Sequence, residues 1–197
     1  MSVEGGIQYY NEDNKFNGRA TLFSRNIKDV IFFFYNSTTF VSQYINQDKQ
    51  KDHGFELEAT YNITKDINLK AFYAFVTGEI TTKSGGKDTT YNNLLRRPKS
   101  SAGISLGAKV NKYFFTSTSL SAFGKRKDAY FDNSSFSTVY ETLDSYVLWN
   151  IYAEYGFFKN RLKIFADFRN IMNSKYVETS GYATQGFSIY GGVRFSF

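Results

Sequence analysis

The chain closes with "GFSIYGGVRFSF", residues 186–197, in which apolar and polar residues alternate. Side chains at i and i+2 of a β-strand lie on the same face. One face therefore carries mainly large apolar side chains and the other serines, Tyr190 and Arg194; the first face consists of Phe187, Ile189, Gly191, Val193, Phe195 and Phe197. The alternation predicts a strand whose apolar face meets either a protein core or lipid.

The same alternation recurs along the chain, in runs that include residues 55–63, 102–110, 147–157 and 162–168. Phe165 is the exception on the polar side of the last run. The runs are close in length to the roughly 9 to 11 residues that a tilted strand needs to cross a bilayer. Repeated two-faced runs therefore favour a sheet that meets lipid on its apolar side.

The composition excludes several classes of protein. Aromatic residues make up 19% of the 197 residues, with 21 Phe and 16 Tyr, which favours strands over helices. No segment approaches the roughly 20 apolar residues of a membrane-spanning helix, although a mean hydropathy of −0.41 is compatible with a barrel whose interior is polar. There is no cysteine, and the net charge of +6 is scattered, so neither a disulfide scaffold nor a nucleic-acid-binding surface is indicated.

Connections of two lengths alternate between the runs. Short polar turns are predicted at 62–66, 111–112 and 159–160, with aromatic residues beside them, and long Gly-, Ser-, Thr- and Asn-rich connections at 81–97 and 125–142. An up-and-down membrane barrel has short turns on one side and long loops on the other, and tyrosine favours the headgroup level. The pattern therefore predicts an all-β, antiparallel, transmembrane barrel with an aromatic girdle at its short-turn side.

About nine strands are predicted, at residues 2–11, 17–36, 39–63, 67–82, 98–111, 113–128, 142–158, 161–178 and 185–197. The polar stretch 46–53 should extend its strand beyond the bilayer on the long-loop side. Single-chain bacterial barrels have an even number of strands. The odd count, with no signal-peptide pattern after Met1, leads us to expect that residues 1–197 are the C-terminal part of a larger barrel.

Several ordered motifs resemble one known family. They are Tyr44-Ile-Asn46 with Gly54-Phe-Glu-Leu-Glu58, Leu94-Leu-Arg-Arg-Pro98, Gly124-Lys-Arg-Lys-Asp128, and Arg169-Asn-Ile-Met-Asn-Ser-Lys-Tyr176 before Gly181-Tyr182. This set resembles the C-terminal barrel half of TonB-dependent outer-membrane receptors, most closely the cobalamin and siderophore receptor branch. Thr184-Gln185-Gly186 replaces the family's usual Pro-Gly-Arg, and His53 replaces a common Lys or Ile. Both departures weaken any inference about the ligand.

The resemblance implies a bacterial outer-membrane location and a 22-stranded barrel filled by a plug domain, which this chain lacks together with the first strands. It implies uptake of a metal chelate (siderophore-iron, haem or corrinoid), energised by TonB through the plug. The implied partners also include lipid, lipopolysaccharide and the outer-membrane assembly machinery. The apolar C-terminal strand resembles the signal that this machinery reads, with Ile189, Val193, Phe195 and Phe197 as its residues.

Ligand-binding candidates lie in and beside the long connections. Arg96, Arg97 and Lys99 could hold an anionic group, and the parity of the following strand points Arg97 and Lys99 into the lumen, although contacts to lipopolysaccharide or a plug explain them equally well. Aromatic residues of the second long connection could pack on a bulky chelate or on one another: Tyr130, Phe131, Phe136 and Tyr140.

The remaining polar residues support no catalytic or metal site. His53, the one histidine, shares the register of the apolar face, and no acidic cluster has metal-ligand spacing, so we expect neither an enzyme nor a cofactor. Asn170 falls on the apolar face by parity. A buried amide there needs partners, so Asn170 should lie near the extracellular interface or mark a β-bulge after Phe168.

Three functions remain open at this stage. The first is part of a gated outer-membrane receptor, with this chain supplying barrel wall and extracellular loops. The second is a self-contained small pore or adhesin-type binding barrel, which would close with an even number of strands. The third is a barrel hydrolase that depends on His53.

Overall fold

The computed structural model describes residues 1–13, 15–36, 41–84, 87–91, 94–132, 134–135 and 137–197. The predicted all-β class is confirmed. The strands are β1 (Ser2–Tyr10), β2 (Phe16–Asn36), β3 (Val41–Asn62), β4 (Ile67–Ser84), β5 (Lys87–Tyr91), β6 (Ser100–Lys109), β7 (Phe114–Phe123), β8 (Arg126–Asp132), β9 (Ser137–Leu143), β10 (Tyr146–Phe157), β11 (Leu162–Arg169) and β12 (Ser188–Phe195). Within the described residues, no helix has the length and apolar character to cross a membrane.

Nine of these strands follow one another in a single antiparallel path, as predicted. The order is β1-β2-β3-β4-β6-β7-β10-β11-β12, and β5 pairs with the far end of β4. Apart from the excursions through β5 and β8–β9, each strand lies beside the next in the chain, which is the up-and-down arrangement. The sheet does not close on itself, because β1 and β12 are its edges.

The register places apolar and polar side chains on opposite faces of the sheet. One cross-strand row on the apolar face consists of Ala71, Ile104, Leu120 and Trp149, and one on the polar face of Lys70, Ser105, Ser119 and Asn150. The apolar face is uncovered: Ile104 is 46% exposed, Leu120 42%, Ile164 47% and Val193 65%. A soluble sandwich would bury this face against a second layer, and the described residues supply none.

Phe165, the predicted exception, does lie on the polar face. It pairs with Gly192 of β12, and its ring covers this glycine so closely that an added Cβ would come within 2.6 Å of Cζ. The missing side chain of Gly192 therefore makes room for the ring. An aromatic side chain is thus packed on the polar face without disturbing the register of β11.

The short turns are confirmed, and each is formed by local hydrogen bonds. The Thr64 hydroxyl accepts from the backbone N–H groups of Asp66 and Ile67, and the Asn111 side chain accepts from those of Tyr113 and Phe114. Ser/Thr and Asx turns of this kind explain why such residues mark turns in a sequence. Exposed aromatic rings flank these turns: Tyr9, Tyr10, Tyr61, Tyr155, Phe157 and Phe158.

The long connections contain more regular structure than predicted, so the expected strand ends at 82, 98, 128 and 142 are corrected. β4 continues to Ser84 and pairs with β5, while β8 and β9 form a separate two-stranded hairpin. The connections were predicted from their content of Gly, Ser, Thr and Asn, and this criterion overlooked β8 and β9. β-Forming residues such as Tyr130, Val139 and Tyr140 lie among the small polar ones. β3 does continue through residues 46–53: it pairs with β4 from Lys49 onward, and residues 41–48 pair with β2. The position of this stretch beyond the bilayer stays a prediction.

The strand predicted for 161–178 is too long, and the bulge interpretation of Asn170 is wrong. β11 ends at Arg169 with an unshifted register to both neighbours. Asn170 has a φ of 50°, a left-handed conformation that asparagine tolerates. Its buried amide accepts from the Ser174 N–H at 2.8 Å and donates to the carbonyls of Ser174 and Gln185. It lies at the long-loop end of β11, as the other interpretation required.

Candidate functional site

The apolar residues that are most deeply buried lie together at the long-loop end. Among the described residues, Leu94, Leu143 and Tyr146 are the buried large apolar side chains, each 7% exposed. Arg126 and Asp128 are buried beside them. We call this cluster the loop junction, because it joins the 94–99 connection, the β8–β9 hairpin and the 170–187 connection. Its residues are Leu94, Arg96, Arg126, Asp128, Leu143, Tyr146, Tyr176, Glu178 and Ser180.

Asp128 holds the loop junction together. Its carboxylate is fully buried and accepts from Arg96 Nε at 2.7 Å, from the Ala129 N–H at 2.8 Å and from the Ser180 N–H at 2.7 Å. Burial by itself raises the pKa of Asp128, but hydrogen bonds from Ser180, Arg96 and Ala129 outweigh it and lower the pKa below its ordinary 3.8. One ionised side chain therefore connects three chain segments.

Arg96 is placed for this role by its backbone. Its φ is 60°, its N–H donates to the Lys127 carbonyl at 2.7 Å, and Leu95 forms an isolated parallel bridge with Lys127. The guanidinium also donates to the Ala129 carbonyl at 3.3 Å. Arg96 was predicted as a ligand-binding residue, and the structure shows that its guanidinium is engaged within the protein.

Tyr146 and Tyr176 of the loop junction belong to a stack of aromatic rings that continues to Phe123 of β7. The ring centroids of Phe123 and Tyr146 are 4.9 Å apart, those of Tyr146 and Tyr176 are 4.2 Å apart, and both pairs are nearly parallel. The Arg126 guanidinium lies 4.8 Å from the Tyr146 ring centroid, and its buried Nε and Nη2 have no hydrogen-bond partner. The Tyr146 hydroxyl donates to Glu178 at 2.6 Å. Burial, and secondarily the Glu178 charge, raises the pKa of Tyr176.

The other predicted binding residues are spread around this junction. Arg97 and Lys99 are exposed, and the Lys99 carbonyl accepts from the Val76 N–H at 2.9 Å, which joins it to the sheet. Tyr130 and Tyr140 are 38% and 51% exposed. Tyr140 pairs with Ala129 rather than with Tyr130, so the two tyrosines lie on opposite faces of the β8–β9 hairpin and do not form one surface. The side chain of Phe131 and the whole of Phe136 lie outside the described residues.

Sequence reasoning missed most of the loop junction. Arg126 and Asp128 alternate with Lys127 and Ala129, so a strand assignment for β8 would have put both on one face. No comparable signal marks Glu178 or Ser180, because they lie in a connection without periodicity. Asp128 and Ser180 are 52 positions apart, and only the fold brings them together.

The polar face of the sheet carries its own charged pairs. Lys163 donates to Glu154 at 2.8 Å, and the Tyr152 hydroxyl donates to the same carboxylate at 2.9 Å. Arg25 pairs with the buried Asp52 at 2.6 Å near the base of the β2–β3 extension. Among the described residues, no group of three or more acidic or histidine side chains could hold a metal ion. The face is therefore polar and charge-paired, as expected of a surface that encloses water.

The sequence profile described as "TonB dependent receptor-like, beta-barrel" matches residues 1–171. The chain belongs to this family. Members of the TonB-dependent receptor family are outer-membrane proteins. The family comprises transporters and receptors rather than enzymes. Membrane barrels have an apolar outer face and a polar interior, which is the arrangement of the two faces of this sheet.

Solved structures share the fold. The FrpB iron transporter from Neisseria meningitidis is 17% identical, with 98% of this chain and 30% of that chain covered and a TM-score of 0.74. The pyoverdine outer membrane receptor FpvA from Pseudomonas aeruginosa is 15% identical (100% and 29% covered, TM-score 0.68). The copper transporter OprC is 18% identical (100% and 31% covered, TM-score 0.70). The chain thus spans about a third or less of these relatives, and a search of curated proteins found no match.

Proposed function

We propose that this TonB-dependent receptor barrel portion supplies wall and extracellular loops to a transporter that takes up a metal chelate, in the form of siderophore-iron, haem or a corrinoid. The observation that supports this most strongly is the nine-stranded sheet with an uncovered apolar face and a polar face carrying paired charges such as Lys163–Glu154. Such a wall separates lipid from an aqueous passage. The solved relatives named above include receptors or transporters for iron, pyoverdine and copper.

Residues 1–197 are, in this proposal, the C-terminal part of a 22-stranded barrel whose plug and first strands belong to the rest of the protein. Two observations support it. The nine-stranded path leaves β1 and β12 as open edges, and this chain covers 27–31% of the length of the solved structures that it resembles. TonB would act through the plug. A self-contained small pore or adhesin remains the second candidate and requires a closed sheet with an even number of strands.

We propose that ligand contacts come from the exposed residues around the loop junction. Arg97 and Lys99 are exposed cations that would bind an anionic chelate, while Arg96 acts mainly by holding Asp128. Tyr130, Phe131 and Tyr140 would supply aromatic contacts from the β8–β9 hairpin. The C-terminal strand would contact lipid and carry the assembly signal, because Ile189, Val193, Phe195 and Phe197 are all exposed on one face.

The test is growth of a strain that depends on the full-length receptor, supplied with ferric siderophores, haem or a corrinoid as the limiting nutrient. We expect TonB-dependent growth on one class of chelate. Replacing Arg97 and Lys99 by Gln should weaken binding of that chelate, whereas replacing Lys49 and Lys51 on the β3 extension should not. Uptake without TonB, or growth on none of the chelates, would contradict the proposal.

A further inference from the structure

Charge is distributed unevenly among the four short turns. Residues 11–15 contain one lysine and two acidic residues, and residues 63–66 contain one lysine and one aspartate. Residues 110–113 contain one lysine and no acid, and residues 158–161 contain a lysine, an arginine and no acid. Positive charge is therefore concentrated on the last two turns, beside β6–β7 and β10–β11.

These two turns form one structural unit. The Asn160 side chain donates to the Lys112 carbonyl at 3.1 Å, and the Gly156 N–H donates to the Tyr113 carbonyl at 2.8 Å. Phe158, Lys159 and Asn160 all have positive φ, between 49° and 69°. Such a run of left-handed residues is costly unless its surroundings impose it. The cross-turn hydrogen bonds thus hold together the backbones of the two turns that carry the cations.

The cations of this unit are exposed and have no acidic partner among the described residues. Lys112, Lys159 and Arg161 are exposed, and none forms an ion pair with an acidic residue in the part of the chain that the structure describes. By contrast, Lys15 in the first turn lies 4.0 Å from Asp13. Three exposed cations on two joined turns, without an acidic partner among the described residues, form a favourable place for an anion.

The neighbouring aromatic rings indicate which anion. The Lys112 ammonium lies 4.8 Å from the Tyr113 ring centroid, and Tyr113 contacts Tyr155, which belongs to the apolar face. Phe158 in the adjacent turn is 74% exposed. Aromatic rings with this exposure are typical of the membrane–water interface. The Lys112 ammonium therefore lies beside the aromatic rings of the apolar face, at the height expected for lipid headgroups.

We propose that Lys112, Lys159 and Arg161, with Tyr113 and Phe158, bind the phosphate of an anionic glycerophospholipid in the periplasmic leaflet. Short turns face the periplasm in outer-membrane barrels. Basic residues at a membrane surface attract anionic lipid, and the attraction weakens with salt. The site would hold one stretch of the barrel against an acidic headgroup, independently of the chelate that the protein transports.

The test uses the full-length receptor in detergent, with native mass spectrometry to count bound phosphatidylglycerol and phosphatidylcholine. We expect at least one phosphatidylglycerol to be retained, with a preference over phosphatidylcholine of about tenfold at low salt that declines as salt rises. The double variant Lys112→Gln/Lys159→Gln should lose most of this preference. The matched control Lys15→Gln/Lys65→Gln removes two lysines from the other turns and should retain it.

Heat-modifiable migration on gels first shows that both variants are folded. Equal binding of the two lipids by the natural protein would overturn the proposal, as would an unchanged preference in the Lys112→Gln/Lys159→Gln variant. A third contradictory result would be that this variant loses affinity for a soluble periplasmic protein while its lipid preference stays the same. That outcome would assign the surface to a protein partner instead.

Discussion

The two ends of this barrel portion are held together in different ways. At the short-turn end, hydrogen bonds to nearby side chains close turns such as Thr64 with Ile67, and a cross-turn bond from Asn160 to the Lys112 carbonyl joins the last two turns. At the long-loop end, Asp128 joins Arg96, 32 positions earlier, and Ser180, 52 positions later. Mostly local contacts thus shape the short-turn end, while tertiary contacts between distant segments shape the long-loop end. The following experiments break one end and leave the other intact.

The largest effect is expected from Asp128→Ala. It removes the shared acceptor of Arg96 and of two backbone N–H groups, and we expect the loop junction to lose about 2–3 kcal/mol. Hydrogen exchange should show faster exchange at Ser180 and around Arg96, with no change at the short turns. Asp132→Ala is the matched control, because the hydrogen bonds that Asp132 accepts among the described residues come from Ser134 and Ser135 in its own turn. Unchanged exchange at Ser180 would contradict the role of Asp128.

Lowering the pH should protonate the Asp128 carboxylate and weaken the same hydrogen bonds. The folded-state pKa of Asp128 lies below its ordinary 3.8, so its contribution is fully present above pH 3.8 and is lost as the pH falls through the lower folded value. We expect exchange at Ser180 to accelerate in that acidic window, after correction for intrinsic rates. Asp128→Asn should abolish the pH dependence. A loop junction that opens instead between pH 5 and 7 would show that another group controls it.

A smaller effect is expected from Asn170→Ala. The substitution removes three hydrogen bonds that order the start of the 170–187 connection and replaces asparagine in a left-handed conformation. We expect a loss of about 1–3 kcal/mol, seen as proteolytic cleavage between 171 and 187. Asn170→Gly is the informative control: it relieves the backbone and still lacks the hydrogen bonds. Equal protection in all three proteins would show that the amide contributes nothing.

The smallest effect is expected at the other end, from Gly156→Ala. An added Cβ would lie 2.0 Å from the Asn160 Oδ1, so Asn160 must move and release the Lys112 carbonyl. Because the displaced atom is the end of a side chain, we expect a loss of about 1 kcal/mol that is confined to the two joined turns. Gly191→Ala, on a strand with room for a methyl group, serves as the control in thermal unfolding. Faster exchange at the loop junction would contradict the independence of the two ends.

The same contrast explains what the sequence could predict. Alternation identified the two faces of the runs 55–63, 102–110, 147–157, 162–168 and 186–197, because period-2 patterning depends only on neighbours such as Ile164 and Phe168. The turns at Thr64 and Asn111 were predictable because their hydrogen bonds are local. The hydrogen bonds of Asp128 in the loop junction were not predictable, because its partners are distant in the chain and Ser180 lies in a segment without periodicity. Arg96 was selected for its charge, yet its engagement by Asp128 depends on the fold.

The central claim is that the apolar face meets acyl chains while the polar face meets water, and site-directed spin labelling tests it most directly. The protein has no cysteine, so single labels can be placed at Ile104 and Ile164 on the apolar face and at Ser105 and Ser119 on the polar face of the full-length receptor in bilayers. We predict that the first pair is accessible mainly to oxygen and the second mainly to a water-soluble nickel complex. Equal access of the nickel complex to both pairs, or the reverse pattern, would contradict the account.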